Sequence, residues 1–190
     1  MDRVGFEIFE PDGKKFHWTP DWIIPPLWLV PILILWAVKG DDSGPPGNLI
    51  MGYFICLFLL TMYFMVASFF TYKPLNGVIK GEIIFEKDKI EIDDKTILLS
   101  DISALDFSFS DYYGQSNVAY HSLNPKLLQG VNNYVTFSDK QGDTKLIYFR
   151  ARGPHSSDSL SEFINEAVKL KKMTYNRATD ILGADAITQQ

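Results

Sequence analysis

Apolar and polar positions follow three different rhythms along this chain. The first is unbroken. Trp22 to Val38 (WIIPPLWLVPILILWAV) and Leu49 to Tyr72 (LIMGYFICLFLLTMYFMVASFFTY) hold no charged side chain. About 20 apolar residues carry a helix across the hydrocarbon core of a bilayer. The second run exceeds that length. The first sits at its lower limit and contains Pro25, Pro26 and Pro31. Between them GDDSGPPGN, residues 40–48, is dense in turn formers. The pattern predicts a two-helix transmembrane hairpin, with helices over 22–38 and 49–72 and a short external loop over 39–48. Pro25 and Pro26 are expected in the first helical turn, where a missing N–H costs little. Pro31 is expected to kink the span. A re-entrant or interfacial segment is the rival reading of the first run.

The second rhythm has period two. GEIIFEK, KIEID and KTILLS place Ile83, Phe85, Ile90 and Ile92 between Glu and Lys, as half-buried antiparallel strands do. Lys87-Asp88-Lys89 and Asp93-Asp94 read as tight turns. Leu105, Phe107 and Phe109 share a face in SALDFSFSDYYG. QSNVAYHSLNPKLLQG reads as a long connection, and NNYVTFSDKQGDTKLIYFRA as a hairpin turning at Gln141-Gly142-Asp143. The third rhythm is helical: Leu160, Phe163, Ile164, Ala167 and Val168, with Ser159 and Glu162 spaced as a capping box and Lys169, Lys171 and Lys172 at the end. These elements predict a mainly-β domain over 77–173, about seven antiparallel strands capped by a C-terminal α-helix. Residues 174–190 lack a clear period and read as a tail. Residues 1–21 read as an N-terminal cytoplasmic arm, with Phe6 and Ile8 alternating against Glu7 and Glu10 in a segment that suits either a small hairpin or a disordered arm.

Charge sets the expected sidedness. Arg3, Lys14 and Lys15 precede the first span and Lys73 and Lys80 follow the second, whereas the loop offers Lys39 beside Asp41 and Asp42. The positive-inside rule then places both termini in the cytoplasm. Trp18, Trp22, Trp36, Tyr72 and Lys73 fall at the ends of the spans and are the expected membrane-interface anchors. Some twenty polar residues before the first apolar run are unlike a cleaved signal peptide, so both runs are expected in the mature protein. No Asp, Glu, Lys, Arg or His lies within the spans, which argues against a transport pathway. The mean hydropathy of -0.02 averages a greasy segment with a polar one, and the net charge of -5 with pI ≈ 5.1 gives no nucleic-acid footprint. Cys56 stands alone, which excludes an intramolecular disulfide.

The stretch from Gly81 to about Lys172 resembles the bacterial pleckstrin-homology-like (PH-like) domains attached to a transmembrane hairpin in small membrane proteins. GEIIFEKDKIEIDDKTILLSDISALDFS, the Gly142 hairpin and the closing helix carry the likeness. The resemblance implies a bent seven-stranded sheet capped by a helix, in a multi-pass protein of the bacterial inner membrane. It implies binding or scaffolding rather than chemistry, and it fixes no ligand. Lipid-reading members of that fold gather Lys and Arg in the loop between their first two strands. Here that loop is expected at Lys87-Asp88-Lys89, where Asp88, Glu86 and Glu91 dilute the charge, so phosphoinositide binding is not expected.

No catalytic, cofactor or metal motif emerges. His17, His121 and His155 are scattered, and GxSxG, Walker-type and GxGxxG patterns are missing. The candidate interaction loop is Tyr112-Tyr113, together with Leu127 and Leu128, since paired tyrosines in a loop are costly to leave without a partner. Packing of those tyrosines over the sheet edge is the structural alternative. The expected function is a non-enzymatic, membrane-anchored scaffold or accessory subunit of a membrane complex. A membrane-surface lipid sensor and an immunity-type protein that neutralises a toxin are the alternatives.

Overall fold

The computed structural model describes residues 3–14, 17–37, 47–117 and 122–187. Val38, residues 39–46 of the connecting loop, Lys15, Tyr120 and His121 lie outside them. The chain divides into two compact units. One comprises Met1–Gly13, Leu75–Gln115 and Leu128–Gln190, and the other Lys14–Pro74 and Ser116–Leu127.

The first unit is built on a seven-stranded antiparallel sheet. Its strands are β1 (Val4–Pro11), β2 (Gly77–Glu86), β3 (Lys89–Ile92), β4 (Lys95–Leu98), β5 (Ile102–Ser108), β8 (Asn133–Asp139) and β9 (Thr144–Arg150), in the order β4-β3-β2-β1-β9-β8-β5. The remaining strands, β6 (Tyr113–Ser116) and β7 (Leu127–Gln129), form a separate two-stranded ribbon; β7 lies within the expected long connection and β6 runs into it from the tyrosine loop. The period-two pattern works as anticipated. Ile83, Phe85, Ile90, Phe107, Val135 and Phe149 are all buried, and Phe85 packs its ring 5.3 Å from Phe107 and 5.2 Å from Phe163. Each such burial contributes about 1.5–3 kcal/mol.

The N-terminal segment is neither a hairpin nor an arm. β1 runs between β2 and β9, with Val4 opposite Phe85, Pro11 opposite Gly77 and Ile8 opposite Phe149. Phe6 and Ile8 join the core. A bulge between Glu7 and Phe9 explains why the alternation there is imperfect.

The C-terminal helix is α3 (Ser161–Lys169), and Phe163, Ile164 and Ala167 are its buried face. The expected capping box does not form. A 3-10 turn over Asp158–Leu160 precedes the helix, and Ser159 Oγ donates to Ser156 O instead. The expected tail contains a further helix, α4 (Tyr175–Leu182). Thr174 caps it by accepting from Arg177 N, and Ala178 is buried. The Arg177 side chain then donates to the Asp106 carboxylate at 2.6 Å and to Phe107 O at 2.7 Å, which ties α4 to the edge strand β5.

The second unit holds α1 (Pro20–Ala37), α2 (Gly47–Ala67) and residues 116–127. α1 starts two residues earlier than expected, so Pro20 takes the first position and Pro25 and Pro26 lie beyond the first turn. Pro31 has no N–H for the carbonyl of Leu27, four residues back. That carbonyl accepts from Tyr53 Oη of α2 at 2.9 Å instead. Trp28 Nε1 reaches Thr61 Oγ1 at 3.3 Å, and Thr61 itself donates to Leu57 O. α2 stops at Ala67 rather than running to Tyr72. Phe69 N and Phe70 N bond three residues back, to Val66 O and Ala67 O, and tighten the last turn. The hydroxyls of Ser68 and Thr71 take the carbonyls of Met65 and Ala67. Among the described residues one helix, Gly47–Ala67, is long and apolar enough to cross a bilayer. The apolar part of α1, Pro20–Ile34, is shorter.

Candidate interaction site

The tyrosine loop rests on a buried polar knot. Asn133, at the start of β8, is fully enclosed. Its Oδ1 accepts from the backbone N–H of Ser110 (2.8 Å) and Asp111 (3.2 Å), while its Nδ2 donates to Gly130 O (2.8 Å) and Asp111 Oδ1 (3.3 Å). The buried Asp111 carboxylate also accepts from Asn132 N (3.0 Å) and Asn132 Nδ2 (2.8 Å). Each of these buried polar groups is thereby satisfied, as a stable interior requires.

Tyr113 continues from that knot into β6, and the residue is 39% exposed. Its N–H donates to Ala151 O at 2.9 Å, and Ala151 N donates to Gly130 O at 2.8 Å. The Arg150 guanidinium stacks 4.3 Å from the Tyr113 ring centroid, within cation–π range. Arg150 Nε also donates to Gln129 O at 3.1 Å, and Arg152 pairs with Glu7 at 2.8 Å. Tyr113 is therefore a half-open aromatic face held in one orientation. Tyr112 is partly buried and its N–H donates to Gln115 Oε1. Leu128 lies in β7, the strand paired with β6.

Leu127 starts β7 but belongs to the second unit, where it bridges Tyr72. It ends a strap, residues 122–127, that fastens the ends of both helices. Ser122 Oγ and Leu123 N each donate to the Asp21 carboxylate at 2.6 Å, in the first turn of α1. Lys126 N donates to Ser68 O, Leu127 N to Thr71 O and Lys73 N to Leu127 O, just past the end of α2. The anchors lie on this unit: Trp18, Trp22 and Trp36 are 74%, 61% and 77% exposed. The sequence had no signal for the strap, because Asp21 and Ser122 meet from distant parts of the chain.

Lys87-Asp88 joins β2 to β3, so it is not the loop between the first two strands of the sheet. β1 and β2 are instead connected by the whole helical segment. Lys89 is also spoken for, lying 2.7 Å from Glu91 and 3.1 Å from Glu86. The hydrogen bond to Glu91 raises the Lys89 pKa above its ordinary value. The same bond, with help from Arg3, holds the Glu91 carboxyl below the usual carboxylate range. His155 Nδ1 lies 3.0 Å from Asp158 at the surface. Among the described residues no group of three or more His, Cys, Asp or Glu could hold a metal ion. An open groove of ≈ 450 Å³ lies against Phe9, Lys80, Asp93, Leu146 and Tyr148, with mixed polar and apolar walls. No protein-family model, curated protein or solved structure matches this chain.

Proposed function

We propose that this protein is a PH-like domain fastened to a membrane by a two-helix hairpin, and that it serves a larger membrane complex as a protein-binding scaffold or accessory subunit. The observation that carries the membrane half is the nakedness of α2. Only Leu57 of its 21 residues is buried, although the helix is strongly apolar and holds no charged side chain. Such a surface calls for lipid or another apolar partner.

The register of β1 and β2 supports a second crossing by α1. Pro11 pairs with Gly77, and Asp12 N donates to Asn76 O at 3.1 Å, so the helical segment leaves and rejoins the sheet at one place. A chain that returns to its starting point crosses a bilayer an even number of times. If α2 crosses, α1 must cross back. The Tyr53–Leu27 and Trp28–Thr61 bonds fit this reading, since polar groups inside a bilayer need protein partners. Seven antiparallel strands closed by a C-terminal helix agree with the PH-like resemblance.

The protein-binding half rests on Tyr113, an exposed ring pre-positioned by Arg150 and the Asp111–Asn133 knot. A fixed aromatic loses little freedom on binding, which favours its use as an anchor. The test is affinity purification of tagged full-length protein in mild detergent. A stoichiometric protein partner that Tyr113→Ala releases is the expected result. Recovery of free protein alone, under conditions that preserve other complexes of that membrane, overturns the scaffold reading.

A further inference from the structure

Lys126 is the one basic residue among the described residues whose side chain is enclosed. It is 2% exposed, and no carboxylate among the described residues lies within ion-pair distance of its ammonium. Its visible partner is the ring of Phe69, 3.5 Å from Nζ to the centroid. Among the described residues no fully enclosed side-chain nitrogen or oxygen lacks a hydrogen-bond partner. Lys126 Nζ has none among the described residues, so it keeps a small opening to the outside. A cation so placed is costly unless an anion arrives to balance it.

The depth of this cation follows from the strap. Lys126 N is bonded to Ser68 O, directly after the last residue of α2. If α2 fills the hydrocarbon core, Ser68 and Phe69 stand at the headgroup level. The exposed rings of Trp18 and Trp22 flank the start of α1, whose Asp21 is bound to the same strap. Indole rings favour that level too.

We infer that Lys126, presented over Phe69 by the strap, binds the phosphate of an anionic phospholipid at the base of the helix pair. This inference rests on the membrane reading above. The lysine comes from far beyond both helices in sequence, so a count of charges flanking the spans does not find it.

The test uses the full-length protein in detergent, incubated with equal amounts of phosphatidylglycerol and phosphatidylcholine of matched chains, and native mass spectrometry of the lipid retained. Wild type should prefer the anionic lipid by about five-fold, the worth of one well-placed basic residue. Lys126→Met should lose the preference and Lys126→Arg should keep it. A photoactivatable phosphatidylglycerol headgroup on wild type should label residues 68–73 or 122–127, which keeps the question answerable if Lys126→Met does not fold. An unselective wild type, a preference that survives Lys126→Met, or labelling confined to other segments overturns the inference. Displacement of the lipid by inorganic phosphate alone also overturns it, because the site would then be one for free phosphate. Alkaline carbonate extraction separates the two levels. If the protein leaves the membrane pellet, the membrane reading itself fails. If it stays and any of the overturning results appears, only the lysine site is lost.

Discussion

Gly130 has φ of +72°, and a Cβ there would stand 2.3 Å from Ala151 O and 2.5 Å from Tyr113 N. Both neighbours are backbone and cannot step aside. Gly130→Ala should therefore cost about 1–3 kcal/mol, read as a lower denaturation midpoint, with faster hydrogen exchange at Tyr113 and Ala151. Tyr53 makes a different kind of single-residue claim. Its hydroxyl answers the carbonyl that Pro31 leaves without a partner, so Tyr53→Phe should lower thermal stability in detergent by about 1 kcal/mol. Tyr63→Phe, on an exposed ring of the same helix, should not. Equal melting curves for the two variants would remove the proline-repair argument. Glu91 supplies a pH dependence. Its pKa is lowered in the folded protein by the Lys89 hydrogen bond, so its stabilising effect is present above the ordinary carboxylate range. That effect is lost as pH falls through the lowered folded value. Glu91→Gln should flatten the acid side of the stability profile and change the neutral plateau only slightly, because the pair lies at the partly solvated surface. None of these three residues announces its role in the sequence. Tyr53 and Leu27, or Gly130 and Ala151, become partners only when separate elements meet.

The strands from Gly77 onward were legible as elements because each buries one face and turns sharply into its neighbour. Ile83, Phe85, Ile90 and Ile92 alternate with charge, and their pairing partners are adjacent in sequence. β1 had the same alternation but no neighbour, since β2 lies beyond the entire helical segment. Its importance is testable by truncation. Removing residues 1–11 strips a partner from both β2 and β9 and takes Phe6 and Ile8 from the core. The truncated protein should lose cooperative unfolding and become protease-sensitive across the sheet, whereas loss of a mere arm would leave both unchanged. α4 was missed for a related reason. Eight residues with one fully buried side chain give too short a period to recognise, and its link to β5 depends on Arg177 reaching Asp106 across the fold. The paired tyrosines were legible as an unusual loop, but the Asp111–Asn133 knot that fixes it was not.

At the scale of the molecule, the apolar runs located the helices, yet composition alone could not fix where each helix stops. Cys56 offers a direct check on the proposed membrane setting. It is exposed on α2, and a thiol needs water around it to ionise and react. In intact membranes a water-soluble maleimide should leave it unlabelled, and denaturing detergent should restore full labelling. Rapid labelling without detergent would mean that α2 is not in lipid. Sidedness has its own measurement. A tag at Gln190 should be reachable by protease only after cells are opened, and accessibility from outside intact cells would reverse the proposed topology.

The position of the helices between β1 and β2 also dictates an order of events during synthesis. The first strand leaves the ribosome long before the strand it must zip to, and on the proposed membrane reading the greasy segment between them is threaded into lipid in the interval. Until then Phe6 and Ile8 wait in water with both backbone edges open, ready to pair with the wrong chain. Delay at the insertion machinery should thus appear as aggregation of a soluble-looking domain, and its cure should lie in the speed of membrane delivery rather than in the stability of the finished fold.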